Sequence, residues 1–167
     1  LLSPVSDYAA HFLSLPHAVG QMVQGASFYF PIKTYKDIKD LDILASQIGH
    51  LAKLSSSEAI AMQVRVAPAG SGWQRSIAHI IAKGVPDPNS TTGRTKTHPN
   101  ARIMETKMNQ VGFRAAIRVV AVGQSQERAK ALLSSFAGTF GVYTLGEGNQ
   151  LVLSEPAFWQ KKKFEQA

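Results

Sequence analysis

Hydrophobic positions along this chain recur with two periods, and the changes of period fall at turn residues, so elements can be drawn before any chemistry is considered. Val5, Tyr8, Ala9 and Phe12 lie at helical spacing and predict a short helix over 4–15 that Pro16 closes. After a Gly- and Gln-rich connection, Ser27-Phe28-Tyr29-Phe30-Pro31-Ile32 carries the aromatic density of a first strand, with Pro31 marking an edge or an end. Leu41, Leu44, Ile48 and Leu51 step by three and four residues. They predict an amphipathic helix over 40–54, with Asp40 and Asp42 at the positive end of its dipole. Past Ser55-Ser56-Ser57, Ile60, Met62, Val64 and Val66 alternate with Ala61, Gln63, Arg65 and Ala67, the period of a second strand that Pro68 and Gly70 close.

Ser71-Gly72-Trp73-Gln74 matches a capping box, and Trp73, Ile77, Ile80 and Ile81 continue an apolar stripe, so a helix is expected as far as Lys83. Residues 84–100 offer almost nothing to bury and read as a mobile loop. A short helix over 101–109 leads to the strongest strand signal, 111–122. There Phe113, Ala115, Ile117, Val119 and Ala121 point one way and Arg114, Ala116, Arg118, Val120 and Val122 the other. Ser125 caps a helix whose buried face is Ala129, Leu132, Leu133, Phe136 and Phe140, and Gly141 ends it. A fourth strand is expected in two pieces, 142–145 and 151–153, around the turn residues Gly146 to Asn149. Pro156 opens a last helix running to Gln166.

This order specifies an α+β chain, a ferredoxin-like split βαβ sandwich with a helical insertion and a mobile loop between strands two and three. The 167 residues fit a single domain. We divide it into an N-terminal helix and connection over 1–26, an α+β core over 27–154 with the flexible loop 84–100, and a connector helix over 155–167. The start at Leu1 and the charged stretch Lys161-Lys162-Lys163-Phe164-Glu165 lead us to expect a piece of a longer protein.

A hydrophobic share of 44% argues against wholesale disorder. The absence of cysteine removes disulfides, thiolate metal sites and cysteine nucleophiles together, and a cytoplasmic setting is expected. No window holds the roughly 18 uninterrupted apolar residues of a spanning helix. The net charge of +7 makes polyanions, whether nucleic acid or an anionic membrane surface, candidate partners.

Catalytic signatures are missing. A phosphate loop needs glycines followed by lysine and serine or threonine, and Ala69-Gly70-Ser71-Gly72 and Gly146-Glu147-Gly148 read as turns instead. His11, His17, His50, His79 and His98 are scattered without metal-ligand spacing, so no metal or cofactor is expected. Asp37, Asp40 and Asp42 crowd a helix start, where capping accounts for them. No nucleophile elbow occurs.

What remains is a surface. If Phe113, Ile117 and Val119 face the helices, the opposite sheet face carries Arg114, Arg118, Gln63, Arg65 and Tyr29. These are candidate contacts either for single-stranded nucleic acid or for the insertion or a partner domain. Base-stacking platforms on this topology use several aromatics on inner strands, whereas here Tyr29 stands alone, so packing against the insertion or a partner domain is the expected use. Lys161, Lys162 and Lys163, flanked by Trp159 and Phe164, read as the solvated side of a connector helix, with phosphate or anionic bilayer binding as the alternative.

Three stretches carry a family resemblance. They are Phe30-Pro31-Ile32-Lys33-Thr34-Tyr35, then Met62-Gln63-Val64-Arg65-Val66-Ala67-Pro68 followed by Gly72-Trp73-Gln74, and Gly112-Phe113-Arg114-Ala115-Ala116-Ile117-Arg118-Val119-Val120-Ala121 with the helix Glu127-Arg128-Ala129-Lys130-Ala131-Leu132-Leu133. Over about residues 28–140 this resembles the domain that precedes the motor in ATPases of conjugative DNA transfer and type IV secretion, especially coupling-protein-like members. The resemblance implies a nucleotide site in a later motor domain and a membrane segment upstream, neither of which is in this sequence. It further implies a non-catalytic assembly or cargo-contacting role at the inner face of the membrane. The implied partners are other domains or subunits of the ATPase, with single-stranded DNA as the second reading and oligomerisation through the parent protein.

Overall fold

A computed structural model describes residues 13–39 and 42–156. The strands are β1 (His17–Gln24), β2 (Ala59–Pro68), β3 (Val85–Pro86), β4 (Thr95–Lys96), β5 (Phe113–Val122) and β6 (Leu151–Ser154). The helices are α1 (Tyr35–Ile38), α2 (Ile43–Leu51), α3 (Gly72–Lys83), α4 (Ala101–Met108) and α5 (Gln126–Gly138). Four strands form one antiparallel sheet in the order β2-β5-β1-β6, and β3 pairs with β4 in a separate hairpin. The chain is thus α+β, as its pattern predicts.

Register decides which side chains share a face. Ala18 lies opposite Ala121, Gly20 opposite Val119 and Met22 opposite Ile117, while Ile60 and Met62 stand opposite Ala121 and Val119 from the other side. On that face α5 sets Ala129, Leu132, Leu133, Phe136 and Ala137, which with Ala18, Met22, Val119, Ala121 and Phe140 make the core. Helix α5 begins as expected, because the Ser125 hydroxyl accepts a hydrogen bond from the Arg128 amide at 3.2 Å. It ends at Gly138 rather than at Gly141, and a 3₁₀ turn over Thr139–Tyr143 tightens its exit.

The first strand is not the aromatic segment. It is His17–Gln24, so the sheet begins at 17 rather than 27, and residues 27–30 form a turn. The glycine that disguises this strand is needed there: a Cβ on Gly20 would sit 2.5 Å from Leu153 Cδ1 and 3.4 Å from Leu133 Cδ2. The Leu153 side chain of β6 lies over this position so closely that a methyl would have to push it aside, while Leu133 of α5 sits at ordinary contact distance. The fourth strand is likewise one piece, Leu151–Ser154, since residues 139–143 take the 3₁₀ turn.

Segment 84–100 is no structureless loop. Hairpin β3–β4 spans it, closed at its base by Gly84 with φ +65°, a conformation that favours glycine. Helices α3 and α4 pack together beside it around Ile77 and Met104, both fully buried. The Ser71 side chain makes no capping bond; Gln74 instead donates Nε2–H to the Met108 carbonyl at 3.3 Å, tying α3 to α4. The helices expected over 4–15 and 156–166, with Lys161, Lys162 and Lys163, lie outside the described residues except for 13–15 and Pro156. Among the described residues no helix is long and apolar enough to cross a membrane.

Candidate docking surface

Alternation along β2 and β5 brings four of the five proposed surface residues together. Gln63 stands directly opposite Arg118, Arg65 opposite Ala116, and Arg114 opposite Ala67, so Arg65 lies diagonally between the two β5 arginines on the face away from α5. Tyr29 is not among them. It sits in the 27–30 turn, its ring 4.7 Å from Phe30 and 6.4 Å from His98, and it belongs to a local aromatic cluster. The basic patch therefore has no Tyr29 on which a base could stack.

Apolar residues provide the more informative feature. Helix α2 is turned inside out relative to its sequence pattern. Leu44, Ile48 and Leu51 are 62%, 59% and 40% exposed, while Gln47 on the adjoining face is 7% exposed. Helix α2 packs on the 3₁₀ turn and is tied to α5 by a polar contact: His50 Nε2 and Ser135 Oγ lie 2.6 Å apart, and the His50 ring meets Phe136 edge-on at 6.4 Å. On β2, Met62, Val64 and Val66 are 42%, 52% and 61% exposed, although they project to the same sheet face as the core. Helix α5 covers β1, β5 and β6 and leaves this row open, with Phe113 exposed beside it.

Side chain to backbone bonds hold the loops that follow β1 and precede β6. The Asn149 amide is 2% exposed and joins two loops. Its Oδ1 accepts from Ala26 N at 2.8 Å and Gln150 N at 2.9 Å, and its Nδ2 donates to Ala26 O at 3.1 Å and Ser27 O at 3.0 Å. Lys107 of α4 donates from Nζ to the Phe28 carbonyl and, at 3.0 Å, to the Phe30 carbonyl. Burial pulls its ammonium pKa below the usual lysine value. Neither residue stood out in the sequence, because the 26–30 segment that each holds lies 77 or more positions away.

Carboxylates are structural where their roles are visible. Asp42 accepts from Ala45 N at 2.9 Å as the cap of α2, and Asp37 accepts from Thr34 N at 2.7 Å, which holds its carboxyl below the ordinary range. Glu58 accepts from Arg128 Nε at 2.5 Å, and this bond, with the Ser55 amide, draws its pKa from 4.5 to about 2. Among the described residues no group of three metal-ligating side chains forms. A shallow concavity of about 340 Å³ beside α4, lined by Pro99, Asn100, Arg102, Ile103, Thr106 and Glu147, brings one acid and one arginine to an open surface.

No curated protein and no solved structure matches this chain. A family model described as a domain of unknown function (DUF8128) matches residues 16–165, nearly the whole chain, from just before β1 to beyond β6. The chain belongs to that family.

Proposed function

We propose that this chain is a non-catalytic assembly domain, part of a larger ATPase of the type IV secretion or conjugative DNA-transfer kind, and that its apolar surfaces dock neighbouring subunits or cargo. The observation that carries the reading is the outward stripe Leu44, Ile48, Leu51 on α2, with Gln47 turned inward. Each large aliphatic side chain left in water forgoes about 1.5–3 kcal/mol of burial, and clustered exposure of this kind marks interaction sites. The four-stranded order β2-β5-β1-β6, with α2 and α5 in the two crossovers, supports reading the core as a ferredoxin-like split βαβ sandwich, with α3, the hairpin and α4 as its insertion. The setting we propose is the cytoplasmic side of a membrane, reached through the parent protein.

A second reading, single-stranded nucleic-acid binding, rests on the shared face of Gln63, Arg65, Arg114 and Arg118. It lacks aromatic support, so any affinity would come from phosphates and fall steeply with salt. Two measurements decide. The isolated chain is titrated with a labelled single-stranded oligonucleotide at low and high salt, beside an Arg65→Ala, Arg114→Ala, Arg118→Ala variant shown to fold. In parallel, Ile48→Asp is introduced into the longer protein and its assembly followed by native mass spectrometry. We expect no tight oligonucleotide binding and a loss of assembly. Intact assembly with Ile48→Asp, or tight binding abolished in the arginine variant, would overturn the reading.

A further inference from the structure

The sheet has two edges of unequal exposure. β6 is 4 residues long, whereas β2 is 10 and among the described residues has no strand on its outer side. Long uncovered edges template pairing with another chain unless charges or proline blunt them. β2 carries one charge, Arg65, and its proline is at its last position.

The direction of its backbone groups can be read from one bond. Ala69 N–H donates to the Gly112 carbonyl at 3.0 Å, one step beyond the Pro68–Phe113 pair, so 69 and 112 are a hydrogen-bonded pair of the antiparallel ladder. Alternation then gives Ala67, Arg65, Gln63 and Ala61 to β5 and turns the N–H and C=O of Ile60, Met62, Val64 and Val66 outward. Pro68 falls in the outward set, where its missing N–H removes nothing from the β5 ladder. Three of these four outward residues, Met62, Val64 and Val66, are also the apolar row left open by α5, while Ile60 is partly buried against the core.

We infer that β2 pairs antiparallel with β2 of a second copy of this chain across a two-fold axis at Val64, extending the sheet continuously through both copies. The strand is complementary to itself in that register. Val64 meets Val64, Met62 meets Val66, and Ile60 N–H reaches the carbonyl of Pro68, so outward groups face outward groups and apolar side chains face apolar ones. On the other face Arg65 meets Gln63. Sliding by one pair in one direction stacks Arg65 on its own copy, an unfavourable like-charge pair, and shortens the ladder; sliding in the other keeps its length but sets Gln63 on its own copy and moves Arg65 opposite Ala61 in place of Gln63. Such a contact is isologous and closes at two copies. At +7 per chain the copies repel at long range, so salt should strengthen the pairing.

The inference rests on the assembly reading but is tested on the isolated chain at β2, whereas that reading is tested at Ile48 in the longer protein, so the two can fail separately. Sedimentation velocity over a wide concentration range should show a monomer–dimer equilibrium that tightens with salt. Val64→Lys, which sets two ammonium groups against each other, should weaken it by more than about tenfold with unchanged circular dichroism. Because the chain has no cysteine, Val64→Cys should give a single disulfide-linked dimer on mild oxidation, the opposed Cα atoms lying about 5.5 Å apart. Leu44→Cys should not. A chain that stays monomeric at every concentration, a dimer indifferent to Val64→Lys, or cross-linking through Leu44→Cys in place of Val64→Cys would overturn the proposal.

Discussion

Asn149→Asp changes one nitrogen to oxygen and should be among the most damaging single substitutions in the described chain. The native amide is assigned by its surroundings: two backbone N–H groups point at Oδ1 and two carbonyls at Nδ2, so the reverse orientation would face four mismatched partners. At about 1 kcal/mol net for each of these bonds, Asn149→Ala should cost about 3–4 kcal/mol, a large share of the roughly 5–15 kcal/mol that holds a domain folded. Aspartate keeps the two accepted bonds but turns an anionic oxygen on the Ala26 and Ser27 carbonyls. At neutral pH its cost should therefore exceed that of alanine, and its carboxyl should titrate above the ordinary range. A raised folded pKa means that stability relative to wild type is recovered as pH falls and lost as pH rises through the unfolded value near 3.9 and beyond. Urea unfolding of the three proteins at pH 7 and pH 5, read by circular dichroism with a shared m value, tests both statements. An aspartate variant no weaker than alanine at pH 7, or an alanine variant within about 0.5 kcal/mol of wild type, would refute the assignment of Asn149 as the joint between loops.

Further substitutions probe the other contacts. Gly20→Ala should cost about 1–3 kcal/mol because its methyl meets Leu153 Cδ1, and Leu153→Ala in the same chain should recover part of that loss in thermal unfolding. Lys107→Met should cost about 1.5–3 kcal/mol in chemical denaturation by leaving the Phe28 and Phe30 carbonyls without their charged donor. Glu58→Gln should destabilise the chain at neutral pH. Since the folded pKa is depressed, that difference should be full above 4.5 and vanish as pH falls toward about 2, which an acid titration of wild type and variant would show.

Where local pattern and tertiary packing agree, the elements are legible from sequence. The alternation in 59–68 and 113–122 defines both strands and their faces, so the grouping of Gln63, Arg65, Arg114 and Arg118 is readable without coordinates. Tyr29 is misread because aromatic propensity says nothing about distant partners, and Asn149 and Lys107 hold the 26–30 segment out of the sheet. β1 is hidden for the opposite reason: Gly20, Gln21 and Gln24 look like a connection until the close approach of Leu153 and Leu133 is known. Helix α2 shows the limit of periodicity itself. Its stripe is correctly identified as apolar, but whether a stripe faces the core or a partner is fixed by contacts such as His50 with Ser135, which lie 85 positions apart.

The two apolar surfaces are joined by a short connection that packing has made rigid. Between the end of α2 and the start of β2, Glu58 accepts from Arg128 and from the Ser55 amide, and Gln124 donates to the Ser57 hydroxyl at 2.9 Å. Residues 55–58 are thus fastened to the segment that leads into α5, the helix that also holds His50. Leu44, Ile48 and Leu51 on one side and Met62, Val64 and Val66 on the other are therefore positioned by the same helix. A surface fixed before binding avoids the ordering cost of immobilising side chains and loops on contact, which lets a modest apolar area support association. On the proposed docking reading, Glu58 and Arg128 set how well both surfaces are presented, through the connection between α2 and β2 rather than at Val64 or Ile48. Loosening that ion pair should weaken docking through disorder rather than through lost contact.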